Sequence, residues 1–277
     1  MCIRDRGYGY DKEIILNDNV KVILRKAGHI LGAASLEFIE KGEYKDSTVV
    51  FSGDFSGKND FHPWVQPVEY ISKADYLICE STYGDRKHFK TDVLSTLKQT
   101  INDTCMVNGK TLLIASFSVQ RLQELVWYLY ETYKNNPEFL KIPIYVDTPM
   151  GINVSNNVYA KAKDFYNKEA LDLLETDGNI FNWNQLTYTN EVKQSQGLAN
   201  SSAKIIISSA GMLQSGRIVN HVESFLPSKG CTVMLTGYCA IGTFGRKLMD
   251  AINNNEKKVQ SINGNTLHIR ANIIKLE

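Results

Sequence analysis

The chain of 277 residues carries no CxxC pair, and its five cysteines (Cys2, Cys79, Cys105, Cys231 and Cys239) are scattered. That pattern argues against a disulfide framework or a cysteine zinc site. It favours free, buried thiols in a reducing, cytoplasmic compartment, with Cys79, Cys231 and Cys239 in or beside apolar runs. No apolar run approaches the roughly 18–20 residues of a membrane span, and no apolar signal-peptide core stands near the start. Charge of one sign is also lacking. A formal balance of +1 excludes a generally basic surface, so any polyanion would have to be held by a local groove. There is no internal repeat, low-complexity tract or long charge run. Histidine is scarce, with five in the chain. The 43% apolar and 22% charged composition is that of a globular protein, long enough for one large or two ordinary domains.

What is present is a change of pattern near residue 85. Before it the chain reads as strands. Glu13–Leu16 is the first, and Val20, Val22 and Leu24 then alternate with Lys21 and Arg25 as in a half-buried strand. AASLEFIE and STVVFSGD follow, the latter apolar enough to be central. After residue 85, Leu94, Leu97, Ile101 and Cys105 fall at helical spacing, and so do Val119, Leu122, Val126, Leu129 and Tyr133. Between and beyond them come the apolar runs TLLIAS, IPIYVD, KIIISS and CTVMLTG. Further helices are expected over 152–165, 171–174, 218–226 and 244–252. Strands alternating with helices imply an α/β fold whose parallel sheet is covered on both faces, and the amphipathic stripes read as core.

The unusual residues sit where strands end. AGHILGAAS (27–35) sets His29 among small residues; STVVFSGD ends in Asp54; YLICESTYGDR carries Glu80 into Ser81, Thr82, Tyr83 and Gly84. A carboxylate closing a buried strand is costly unless it is paired or bound to a metal. In open α/β sheets that edge is where ligands bind. His29, Asp54 and Glu80 are 25 and 26 residues apart, so adjacent strand ends are expected to gather them on one rim. Each alone has an ordinary explanation, a packed histidine or a turn; their recurrence at three strand ends is what points to chemistry.

The second half repeats a different device. SFSVQR (116–121), DTPM (147–150), SSAGMLQSGR (208–217) and GYCAIGTFGR (237–246) are strand-to-helix turns rich in Gly, Ser and Thr. Such turns offer backbone N–H groups and hydroxyls to anionic oxygens, and arginine matches phosphate bidentately. Four of them on one sheet read as a track for a polyphosphate backbone.

The ordered set GHILGAAS, SGDFS, ESTYGDRKH, SFSVQR, VDTPM, SSAGMLQSGR and GYCAIGTFGR resembles the metallo-β-lactamase-fold nucleases of the β-CASP family, from about residue 20 onward. ESTYGDR and GMLQSGR favour the archaeal and bacterial homologues of the polyadenylation endonuclease over ribonuclease J. The resemblance implies a partial metallo-β-lactamase αββα domain over 1–84, an inserted β-CASP domain over 85–255 with a parallel sheet flanked by helices, and a return to the first domain over 256–277. It implies two Zn2+ ions, with His29 as ligand of one, Asp54 bridging both, and Glu80 supporting a catalytic histidine. The two ions would polarise the phosphoryl oxygen and hold a hydroxide for in-line attack. Gly28, Gly32, Ala33 and Ala34 would let the backbone approach the metals closely. RNA is the implied partner, running in a cleft between the domains. Asp54 and Glu80 are then the catalytic candidates, and Ser81, Thr82, Tyr83, Gly84, Arg121, Ser209, Gly211 and Arg217 the substrate-side ones. A homodimer is left open.

The departures are as informative. The family's HxHxDH segment does not precede His29, and neither the later SAHxD-type histidine nor the final ligating histidine follows. The run MCIRDR resembles a translated sequencing adaptor, so residues 1–6 are set aside and a fragment cut at both ends is expected. His62 and His268 read as surface or packing residues, His88 as a residue able to touch substrate, and His221 as a helix-face residue with some scope to contact RNA. With two of the family's ligands, the chain itself is expected to be inactive and zinc-poor, and its parent a ribonuclease, endonucleolytic rather than 5′-exonucleolytic. The alternatives are a non-catalytic paralogue serving as an RNA-binding scaffold and a DNA-processing nuclease of the same fold. Retention of His29, Asp54 and Glu80 argues against the scaffold.

Overall fold

Alternation of apolar and charged residues folds the first stretch into a five-stranded sheet. The computed structural model describes residues 7–57, 62–85, 92–200 and 202–276, and they form two units. The first comprises residues 1–87 and 163–176. Its strands are β1 (Glu13–Ile15), β2 (Val20–Lys26), β3 (Ala34–Glu40), β4 (Ser47–Phe51) and β5 (Tyr76–Ile78), lying in that order. β1 to β4 form an antiparallel meander, and β5 joins β4 in parallel. Arg25 on β2 holds the sheet's charged side together, donating to Glu37 at 2.7 Å and Asp11 at 2.8 Å. The carboxyl ends of β2, β4 and β5 share one edge. β5, which sequence treats as a buried strand, is an exposed edge strand.

Residues 163–176 pack with this unit. Asn167 donates from Nδ2 to the His62 carbonyl, and the Tyr166 ring sits 5.3 Å from that of the buried Trp64. Apolar area removed from water at Trp64 therefore involves a segment a hundred residues away, which no local periodicity reports.

The second unit, residues 88–162 and 177–277, is a three-layer α/β arrangement. Its elements are α1 (Val93–Ile101), β6 (Thr111–Ala115), α2 (Arg121–Lys134), β7 (Ile144–Asp147), α3 (Pro149–Asn157), β8 (Leu186–Tyr188), α5 (Val192–Gly197), β9 (Lys204–Ser208), α6 (Arg217–Phe225), β10 (Thr232–Thr236), α7 (Phe244–Asn253), β11 (Lys258–Gln260), β12 (Thr266–His268) and β13 (Asn272–Leu276). Helix α4 (Lys168–Asp177) belongs to the first unit as far as Thr176. The six-stranded sheet has the order β13-β10-β6-β9-β7-β8, with every pair parallel. Every residue of β6, β9 and β10 is buried, as expected of strands covered on both faces. β6 enters first in sequence and lies between β10 and β9, so the chain order reverses around it and the turn after β6 stands at the switch point.

Most expected elements form, and the exceptions have physical reasons. Leu94 and Val119, assigned to buried stripes, are exposed. Val119 precedes the first turn of α2, and Leu94 points away from the stripe of Leu97, Ile101 and Cys105. The helix expected over 152–165 ends at Asn157 and continues as two short 3₁₀ turns. Cys79 is exposed, whereas Cys105, Cys231 and Cys239 are buried free thiols. Residues 256–276 do not return to the first unit. β13 pairs with β10 from Thr232↔Asn272 to Thr236↔Leu276, and Leu267 and Ala271 enter the second core.

At the amino end of β9, Lys204 is buried. Its ammonium is held by the Asn200 side-chain oxygen at 2.7 Å and lies 5.8 Å from the Phe225 ring centre. Burial lowers its pKa from 10.5 to about 8. Between those values the unfolded chain holds a proton that the folded one has released, so the contribution of Lys204 to stability rises with pH across that window, opposed by the Cys105 and Cys239 thiols, whose pKa burial raises. In urea titrations the chain is expected to gain stability relative to Lys204→Met between pH 7.5 and pH 10, a difference that isolates this group. In the same assay Ile206→Ala, at the centre of β9, is expected to cost about 2–5 kcal/mol and the exposed Leu94→Ala under about 1 kcal/mol.

Candidate functional site

In the first unit the β4 and β5 ends are locked side by side. The Ser52 N–H donates to the Ile78 carbonyl at 2.9 Å, and the Ser52 hydroxyl accepts from the Glu80 N–H at 3.0 Å. The Ser35 hydroxyl, at the start of β3, donates to the Ser52 carbonyl at 2.6 Å. These bonds carry the AGHILGAAS, SGD and ESTYG turns to one rim, as their spacing in sequence suggests. His29 Nε2 lies 3.9 Å from Asp54 Oδ2. Glu80 lies within electrostatic range of His29, and its carboxyl is held below the usual range chiefly by the Thr82 hydroxyl and N–H. That bond turns Glu80 back onto its own loop. Ser81, Thr82, Tyr83 and Gly84 are exposed beside it, with the Gly84 N–H closing a turn on the Ser81 carbonyl.

Two physical premises about this rim need correction. Asp54 is not a buried carboxylate in need of partners; its side chain is 75% exposed, and that of His29 46%. Gly28 is required by packing rather than by a metal. Its φ is +70°, and a Cβ there would stand 2.8 Å from the Val68 nitrogen. Gly32 is also left-handed, at +86°, but faces open space, so its role is to turn the chain.

A catalytic zinc takes three protein ligands and a water. Among the described residues no group of three or more His, Cys, Asp or Glu side chains converges to hold a metal, and this rim brings two donors together. The residues described here therefore do not by themselves fit a zinc centre. His62 is not drawn in: its Nε2 is 3.0 Å from the Ser56 hydroxyl. His268 is exposed on β12, and His88 lies outside the described residues.

In the second unit all four Gly/Ser/Thr turns emerge at the carboxyl edge of the parallel sheet, where α2, α3, α6 and α7 begin. A hydroxyl ladder crosses three of them. Ser118 donates to the Ser209 hydroxyl at 2.9 Å and stands 3.1 Å from that of Thr148. Close approach needs glycine at two places. A Cβ on Gly211 would press on Phe117 at 3.2 Å, and one on Gly216, at φ +79°, would strike the Ser209 carbonyl at 2.4 Å. The fourth turn joins through Gln214, whose side-chain oxygen accepts from the Phe244 N–H at 2.9 Å.

The arginines behave differently from a phosphate clamp. Arg121 pairs with the buried Glu124 at 3.1 Å, which also accepts from Gln120. Arg217 donates to Asp147 at 2.7 Å and to the carbonyls of Thr189 and Asn190 at 2.9 and 2.7 Å, so its guanidinium is committed inside the protein. His221, read as a helix-face residue with scope to reach RNA, is buried with Nε2 2.6 Å from the same Asp147. Ser195 donates to that carboxylate at 2.5 Å. Burial pushes the Asp147 carboxyl up, and the bonds from His221, Ser195 and Arg217 outweigh it, leaving a net lowering. Asp147 entered the sequence reading only as the first residue of the DTPM turn, and Ser195 not at all. The available signal was the aspartate closing the apolar run IYVD, where the rule for a carboxylate at a buried strand end applies.

Residues 122–248 match the Beta-Casp domain, a span that contains three of the four turns and the Asp147 cluster. The chain is 27% identical over 278 residues to an RNase J-like protein of Methanocaldococcus jannaschii, covering 97% of this chain and 59% of that protein. It is 31% identical over 252 residues to RNase aCSPSF2 of Saccharolobus solfataricus, covering 88% and 45%. To endoribonuclease YSH1 of Yarrowia lipolytica it is 30% identical over 250 residues, covering 85% and 28%. The chain thus spans between about a quarter and three fifths of the curated relatives it matches. The domain match, these relatives and the parallel α/β unit that carries the turns identify residues 122–248 as a β-CASP domain, in a chain similar over most of its length to ribonucleases of that type.

Proposed function

We propose that this chain is the RNA-holding part of a metal-dependent ribonuclease that hydrolyses internal phosphodiester bonds. The observation that carries the reading is the convergence of four hydroxyl- and amide-rich turns on one edge of a parallel sheet, in a chain whose relatives are named as ribonucleases. The chain's near-zero net charge supports a local mode of binding. Phosphate oxygens would be met by the Ser118 and Ser209 hydroxyls and by backbone N–H groups at the helix starts. Arg121 keeps a partly exposed guanidinium at this edge, whereas Arg217 serves from inside. On the first unit's rim, Ser81 to Gly84 would face substrate, and Glu80 would orient a proton-transferring group.

Metal dependence is general to this family of metallo-hydrolases. The finer reading is that two zinc ions take His29 and Asp54 together with donors from outside the described residues, and supply Lewis-acid chemistry at the scissile phosphate. The free thiols suit a cytoplasmic setting.

The purified chain is expected to bind a fluorescein-labelled single-stranded RNA by anisotropy, with affinity falling as salt rises. Ser118→Ala combined with Ser209→Ala should weaken it; an unchanged affinity would remove the hydroxyl ladder from the binding surface. Elemental analysis after gel filtration should find well under one zinc per chain, and two tightly held ions would overturn the account of an incomplete site.

A further inference from the structure

The turn Ser209–Gly216 lies between the last residue of β9 and the first of α6, and both flanking residues are fastened to Asp147 on the neighbouring strand. Ser208 donates its hydroxyl to the Asp147 carbonyl at 2.8 Å, and Arg217 donates to the carboxylate. His221, one turn further along α6, holds the other carboxylate oxygen together with Ser195 of α5. Arg217 then reaches across to the two carbonyls that follow β8. One fully buried carboxylate on β7 therefore holds α5 and α6, and through Arg217 the chain after β8, while β9 is held by the backbone carbonyl of the same residue.

Within the turn the backbone is tightly tied. The Ala210 N–H donates to the Ser215 carbonyl at 3.1 Å, Ile218 to Ser209 at 3.3 Å, and Leu213 is buried at φ +60°. The turn hands its position on to its neighbours through Ser209 to Ser118, Met212 to the Gly245 N–H at 3.0 Å, and Gln214 to the Phe244 N–H. A shift of its ends would move the hydroxyl ladder and the start of α7 together.

We propose that Asp147, acting through Arg217 and His221, is a positioning residue that sets the Ser209–Gly216 turn for RNA, and that neither Arg217 nor His221 touches the RNA. The proposal rests on the reading that this edge binds RNA. Arg217 commits three of its five donors to Asp147 and the Thr189 and Asn190 carbonyls, and pulling it away would strand a buried carboxylate without its permanent cation. The arginine is therefore part of the support and the turn is the surface.

The test uses the whole chain with Arg217→Gln and Asp147→Asn, at a temperature well below unfolding. Hydrogen exchange read by mass spectrometry is expected to accelerate at least tenfold over 209–216 while β6 and β10 keep their protection. Affinity for a labelled single-stranded RNA should fall at least tenfold, with the slope of log K against log salt unchanged. A slope reduced by about one in Arg217→Gln would mean that Arg217 itself neutralises a phosphate and would overturn the proposal. So would unchanged affinity, which would make the cluster merely structural. Should Asp147→Asn fail to fold, Arg217→Gln carries the test alone. Should the unaltered chain bind no RNA, the reading of the edge fails, and the exchange data alone decide whether Asp147 sets the turn.

Discussion

A carboxylate removed from water must be given donors, and in this protein that requirement falls on Asp147. The parallel sheet obliges its strands to run through an apolar interior, so an aspartate closing one of them cannot reach solvent. Ser195, His221 and Arg217 satisfy it, and each comes from a different point in the chain's path after β8. The turns at the sheet's edge inherit their placement from this cluster. Without the carboxylate Arg217 would lose its anchor, and the loop's helix end would be held only by its direct bonds to the SFSVQR and GTFGR turns.

The two units show opposite electrostatic solutions. On the first, His29 and Asp54 stand in the open, Glu80 is turned back on its own loop, and no burial penalty forces a partner on the exposed pair. Such a rim is chemically available. On the second, Arg217 and His221 are consumed internally by Asp147, and the sheet's edge offers hydroxyls and amides beside the partly exposed Arg121 and Arg246.

Much of the fold was legible because it depends on local periodicity. TLLIAS, IPIYVD, KIIISS and CTVMLTG are β-branched apolar runs too short for helices, and the stripes Leu122–Val126–Leu129–Tyr133 and Leu97–Ile101–Cys105 repeat near 3.6 residues. Their alternation leaves a parallel sheet as the natural arrangement, and it is the one found. Placement at the margins was not legible in this way. β13 has a strand pattern but nothing that says which sheet it joins, and residues 163–176 look like any amphipathic helix until Trp64 is found packed against Tyr166.

The site divides along the same line. The sequence by itself determined the type of edge, the left-handed glycines that shape its turns, and the gathering of the His29, Asp54 and Glu80 turns, because each depends on residue type and strand order. Only the tertiary structure decided which charges face outward. Arg217 and His221 carry the side chains of a phosphate contact, yet they point inward, because Asp147 on an adjacent strand offers a stronger partner than water. A pairing between residues 70 and 74 positions apart leaves no local pattern to read.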